Sequence, residues 1–225
     1  MSIAARLAQV HARIDVAARA AGRAPGDVRL IAVTKTKPPE ALREAYAAGQ
    51  RAFGENYAQE LVAKSEALAD LAGIEWHFIG HLQSNKARLV ARVAAVVHTV
   101  DSVALARELG KRAARDRATP LDALIEVNVS GEAQKAGASP SEIEEVAAAV
   151  RAQPSLALRG LMTVPPADDA GAARGVFETL ALLRNLHGGV SALPELSMGM
   201  TDDLEVAVAA GATYVRIGRA VFGDR

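Results

Sequence analysis

A repeated change of hydrophobic period is the feature that most constrains this chain. Short apolar, β-branched runs alternate with longer stretches in which apolar residues recur every three or four positions, and turn residues separate the two. Eight runs read as strands, at 29–34, 51–54, 75–80, 95–100, 123–129, 158–164, 195–199 and 214–218. Between successive strands lie helical segments, roughly 39–48, 56–72, 83–92, 102–117, 140–153, 169–187 and 202–210. Asp101-Ser102 and Ser139-Pro140 are helix-start signals, and Thr201, Asp202 and Asp203 place negative charge in a first turn, at the positive end of a helix dipole. Gly49 and Gly211 stand where helix C-caps are expected. Eight strands with helical crossovers make either a doubly wound open sheet or a (β/α)8 barrel, and the regular spacing favours the barrel.

A barrel wants eight outer helices, yet the chain runs only seven residues past Gly218. The missing cover is supplied in advance. An amphipathic N-terminal helix, with Ile3, Leu7, Val10, Ile14 and Ala17 on one face, precedes the first strand and is expected to fill the gap between strands eight and one. There is no linker, low-complexity tract or repeat, so residues 1–225 read as one barrel domain with no room for a second β-domain. Arg6, Arg13 and Arg19 give the first turns a superficial likeness to an organelle transit peptide, but serine richness is lacking, and the segment reads as part of the mature fold.

Composition removes several function classes. With no cysteine the chain has no disulfide, thiolate metal site or cysteine nucleophile, which fits a reducing cytoplasm. Twenty-six basic residues balance twenty-six acidic ones, so no general field attracts nucleic acid or an anionic membrane. No apolar run approaches the ~18 residues of a membrane span. Because no predicted helix is apolar all round, a monomer is expected.

In such barrels the chemistry sits on the loops after the strands' carboxyl ends. Along the first strand Ile31, Val33 and Lys35 share a face. Lys37 has the same parity but precedes Pro38 and lies beyond the strand body, so Lys35 is the better candidate for the barrel mouth. A primary amine there can form an imine with an aldehyde, whereas a solvated loop lysine would do nothing. The last two strands end in Ser197-Met198-Gly199-Met200-Thr201 and Arg216-Ile217-Gly218-Arg219, where barrels often bind phosphate through glycine-rich backbone. Strand eight neighbours strand one in a closed barrel, so lysine and phosphate nest together suggest a phosphorylated aldehyde. His77 and His81 are four apart, but the H-E-x-x-H glutamate is missing and Gly80 intervenes, so they read as wall residues rather than metal ligands. Ser84-Asn85-Lys86 reads as a helix cap rather than an anion site.

Taken in order, Thr34-Lys35-Thr36-Lys37-Pro38, Phe53-Gly54-Glu55-Asn56-Tyr57, the segment 77–86, Arg159-Gly160-Leu161-Met162, Leu196-Ser197-Met198-Gly199-Met200 and Arg216-Ile217-Gly218 resemble the pyridoxal phosphate homeostasis protein family. Those proteins are similar to the N-terminal barrel of alanine racemase and stand alone. The resemblance implies that Lys35 holds pyridoxal 5′-phosphate as a Schiff base. It also implies that Ser197, Gly218 and Arg219 surround the phosphate, that Gly199 shapes the loop, and that Arg216 faces the pyridine nitrogen. Asn56, His77 and Met162 would line the ring or its edge. A threonine is frequent in the family where this chain has Arg219, so the backbone N–H is the contact to expect there.

A permanently cationic arginine at the ring nitrogen disfavours the pyridinium and weakens the cofactor as an electron sink. Two-domain racemases of this kind take a second base, a tyrosine, from a C-terminal β-domain. This chain's tyrosines are Tyr46 in a predicted helix, Tyr57 after strand two, and Tyr214 at the wrong end of strand eight. The resemblance therefore implies a protein of vitamin B6 homeostasis that stores or delivers the cofactor, with apo enzymes that use it as acceptors and little turnover of its own. The alternatives are a small amino-acid racemase, a Schiff-base aldolase acting on a sugar phosphate, and a purely structural barrel.

Overall fold

The computed structural model describes residues 1–132, 134–166 and 170–223. In chain order its helices and strands are α1 (Ile3–Ala20), β1 (Arg29–Val33), α2 (Pro39–Ala47), β2 (Ala52–Glu55), α3 (Ala58–Ala67), β3 (Glu75–Phe78), α4 (Ala87–Val93), β4 (Val96–Val100) and α5 (Val103–Asp116). They continue with β5 (Leu121–Glu126), α6 (Ile143–Arg151), β6 (Leu156–Met162), α7 (Ala170–Leu186), α8 (Gly189–Ala192), β7 (Glu195–Ser197), α9 (Leu204–Ala209), β8 (Tyr214–Ile217) and α10 (Arg219–Phe222). The eight strands are parallel and close in sequence order, β8 pairing with β1 through Ala32 and Ile217. This is the expected (β/α)8 barrel.

Local sequence explains the element ends. Ser102 accepts from the Leu105 N–H at 3.3 Å and caps α5, while Ser139 and Glu142 form a capping box before α6. Gly49 and Gly211 take φ of +98° and +100°, as the C-cap positions of α2 and α9 require. Two expectations shift. Helix α9 begins only at Leu204, because residues 201–203 form a turn before it, and the Asp203 carboxylate there accepts from the Met200 N–H at 2.5 Å. Ser84 opens a short 3-10 turn without capping it by its side chain. Residue 169, where the seventh helix was expected to start, lies outside the described residues.

Helix α1 packs on α2, α9 and α10, covering the seam between β8 and β1 as its amphipathic face requires. Leu7, Val10 and Ile14 are each 2% exposed, and burying such side chains stabilises by about 1.5–3 kcal/mol apiece. Most of the apolar core lies in the annulus between sheet and helices. Inside the barrel, Val96, Leu124 and Met162 form a small separate apolar cluster, and much of the remaining interior is polar. Among the described residues, no helix is long and apolar enough to cross a membrane.

Candidate cofactor site

A cavity of about 440 Å³ opens at the carboxyl end of the barrel. Its lining includes Lys35, two residues past β1, Asn56, one past β2, Ile79, one past β3, Val164 after β6, Met200, Thr201 and Asp202 after β7, and Arg216, Gly218 and Arg219 of β8 and its exit. A smaller recess of about 220 Å³, lined by Lys35, Thr36, Lys37, Gly218 and Arg219, adjoins it between β1 and α10. Of the nine residues singled out from sequence, the fold thus brings Lys35, Asn56, Arg216, Gly218 and Arg219 around one cavity.

The other four lie elsewhere. Met162 is in the apolar interior cluster. Gly199, at φ +95°, is buried against α9, where a Cβ would collide with Ala207. Register explains Ser197: it pairs with Tyr214, so it lies one inward-facing position below Arg216 and under the cavity floor. Thr201, further along the β7 exit, reaches the cavity itself. Residues 201–203 looked from sequence like a helix start. The glycine-containing exit of β7 was the signal that could have recruited Thr201.

Ser197 is instead a link in a buried polar chain. The Arg216 guanidinium, 5% exposed, donates from Nη1 to Ser197 Oγ at 2.8 Å and from Nη2 to the Thr163 carbonyl at 3.0 Å. Ser197 Oγ lies 2.9 Å from His98 Nδ1, and His98 Nε2 lies 2.9 Å from His77 Nδ1. β4 and β7 are far apart around the barrel, so these contacts run across its interior. Donor bookkeeping orients the chain. Arginine only donates, so Ser197 accepts from it and spends its single proton on His98 Nδ1. His98 is then the Nε2–H tautomer and donates to His77, whose own Nε2 has no hydrogen-bond partner and lies 3.8 Å from Glu75 Oε2. The reverse order would orphan the buried hydroxyl proton and set a bare nitrogen lone pair against a carboxylate. Burial pushes both histidines below the usual range, His98 furthest because His77 and Arg216 add to it, so both rings are neutral. His98 was not singled out from sequence; a histidine among the valines of β4 was the available signal.

Burial also pulls Arg216 down to about 10, with Glu126 and Asp203 opposing, which leaves it cationic at neutral pH. Glu126, at the carboxyl end of β5, is pushed up to about 7 by burial and by Asp101, against Arg216, and its Oε2 has no hydrogen-bond partner. At the rim Arg219 pairs with Asp202. No tyrosine lines the cavity: Tyr46 donates to the Ala72 carbonyl at 2.7 Å, Tyr57 is exposed outside it, and Tyr214 meets Arg29 toward the amino end of the barrel. His81, exposed, lies 3.6 Å from Asp101 and apart from His77.

Residues 6–225 match the family model described as alanine racemase, N-terminal domain. A Pseudomonas aeruginosa protein named pyridoxal phosphate homeostasis protein is 50% identical, the alignment covering 100% of this chain and 96% of that one. PipY of Synechococcus elongatus, solved without PLP, is 38% identical with a TM-score of 0.85 over 99% of this chain and all of its own; solved with PLP bound, it aligns at 36% identity with a TM-score of 0.80. Alanine racemase from Streptomyces coelicolor shares the fold, with a TM-score of 0.74 at 20% identity, over 100% of this chain and 59% of the enzyme.

Proposed function

The chain belongs to the alanine racemase N-terminal domain family and groups there with the pyridoxal phosphate homeostasis proteins, and from that membership we propose that it binds pyridoxal 5′-phosphate and takes part in its cellular homeostasis. One observation carries the reading: Lys35 and Arg216 line a single cavity together with the Gly218-Arg219 turn. The cavity volume lies in the range of small-molecule sites.

The residues present fit the cofactor. Lys35 supplies the primary amine for covalent attachment. Arg216 has five N–H donors and directs one each from Nη1 and Nη2 inward, which leaves donors for a ring nitrogen. Asn56 Oδ1 is buried without a hydrogen-bond partner and is a polar contact in reserve for the ring substituents. At the phosphate end, the Arg219 and Ala220 N–H groups open α10 ahead of Val221, whose own N–H is bonded to the Gly218 carbonyl at 3.0 Å, and Thr201 also lines the cavity. Ser197, His77 and Met162 support this floor from below, and Gly199 sets the course of the β7 exit. When bound, the cofactor contributes an aldehyde that condenses with an amine, releasing one water. The protein contributes a fixed cation, a dry floor and an open mouth.

The 225 residues act as one barrel domain that stores or delivers the cofactor in the cytoplasm to apo enzymes, as a monomer and without substantial turnover. The cationic partner at the ring nitrogen and the absence of a tyrosine from the cavity wall both support a carrier over a racemase. Borohydride reduction followed by peptide mass spectrometry tests the site: the adduct is expected on Lys35 and absent in Lys35→Ala. Colourless protein that traps only a sugar phosphate would establish an aldolase instead. Racemisation of any amino acid at about 1 s⁻¹ or faster, within the normal enzyme range, would refute the carrier role.

A further inference from the structure

Lys64 lies on α3, outside the cavity, yet the residue is only 6% exposed. It donates to the Thr34 carbonyl at 2.7 Å, to Glu55 Oε1 at 2.6 Å and to Glu60 Oε2 at 2.7 Å, which uses all three of its protons. Each partner bears on the residues flanking Lys35. Glu55 Oε1 also accepts from the Thr34 hydroxyl at 2.5 Å, and Glu60 Oε2 also accepts from the Thr36 N–H at 2.9 Å. Thr36 has φ +64° and is the only non-glycine residue of positive φ among those described. A β-branched residue in that region is strained and persists only when its surroundings over-determine it. The strained bend comes immediately after Lys35, and Glu60 is what ties it down.

We propose that Lys64, acting through Glu60 and Glu55, is a positioning residue for Lys35: it fixes the backbone on both sides of that lysine and so aims its amine into the cavity. The two tethers work on opposite sides. Thr34 is held by carbonyl and hydroxyl, Thr36 by its N–H, and Lys35 lies between with its side chain on the cavity face. This rests on the reading of Lys35 as the cofactor's anchor. A buried ion pair kept only for stability would have no need to grip a strained bend.

The test uses full-length protein freed of cofactor, comparing wild type with Glu60→Ala, Thr36→Gly and Lys64→Met. Two quantities are read: the rate at which pyridoxal 5′-phosphate becomes borohydride-fixed on Lys35, and the melting temperature before loading. Glu60→Ala is expected to slow attachment at least tenfold with little change in melting temperature, since Glu60 is partly exposed. Thr36→Gly relieves the strained φ, so it should keep or raise the melting temperature while slowing attachment at least threefold. Lys64→Met should slow attachment as Glu60→Ala does; if it fails to fold, the other two variants decide. Attachment within twofold of wild type in both Glu60→Ala and Thr36→Gly overturns the proposal. If wild type takes up no adduct on Lys35, the anchor reading fails instead. Amide exchange at Thr36 and Lys37 then decides the clamp, with at least tenfold faster exchange in Glu60→Ala supporting it and unchanged exchange overturning it.

Discussion

Arg216 carries a positive charge into the most desolvated part of the site, and its neighbours are arranged to keep it there. Ser197 is the hinge of that arrangement, since it accepts from the guanidinium and donates to His98. Ser197→Ala would leave a buried donor and a buried acceptor without partners, at a cost of about 1–3 kcal/mol. Denaturant unfolding should show that loss, and titration of the unloaded protein should show weaker cofactor binding. Glu126 gives a pH signature. Its carboxyl is held at about 7 against an ordinary 4.5, so the fold favours the neutral form. That preference is fully present below pH 4.5 and is lost as pH rises through about 7, amounting to roughly 3 kcal/mol. Glu126→Gln should therefore leave unfolding free energy near pH 4.5 almost unchanged and raise it by about 2–3 kcal/mol at pH 8. Equal stability of variant and parent at both pH values would show that the carboxyl is not desolvated.

Elements matter here chiefly through the turns they hold. Arg13 of α1 donates to the Thr201 carbonyl at 3.0 Å and pairs with Glu205 of α9 at 2.9 Å, so the covering helix also steadies the β7 exit. Arg13→Ala should cost less than about 1 kcal/mol of stability, because the ion pair is exposed, yet raise the dissociation constant of the cofactor, measured by absorbance titration. Gly199→Ala acts on the same exit from inside. It puts a side chain at φ +95° and into Ala207, and about 2–4 kcal/mol of destabilisation is expected from the left-handed backbone plus overpacking.

For the whole molecule, ligand linkage is the simplest check. A ligand that binds only the folded barrel stabilises it by about 2.7 kcal/mol at a hundred times its dissociation constant, which corresponds to roughly 5–10 °C of melting temperature at this size. Scanning calorimetry with pyridoxal 5′-phosphate should show that rise in wild type and much of it lost in Lys35→Ala. The closed barrel was legible in the period of the sequence, because eight alternations and an early amphipathic helix leave few other ways to bury every apolar face. Lys35, Arg216 and Gly218 were legible at the cavity for the same reason: strand parity and position at a strand's end follow from local spacing. Depth was not. Whether Ser197 or Thr201 reaches the cavity depends on the stagger of β7 against β8, and whether His77 lines the wall or joins His98 depends on which side chains meet across the interior. Those are contacts between residues distant in sequence, set by barrel closure, and only the tertiary structure decides them.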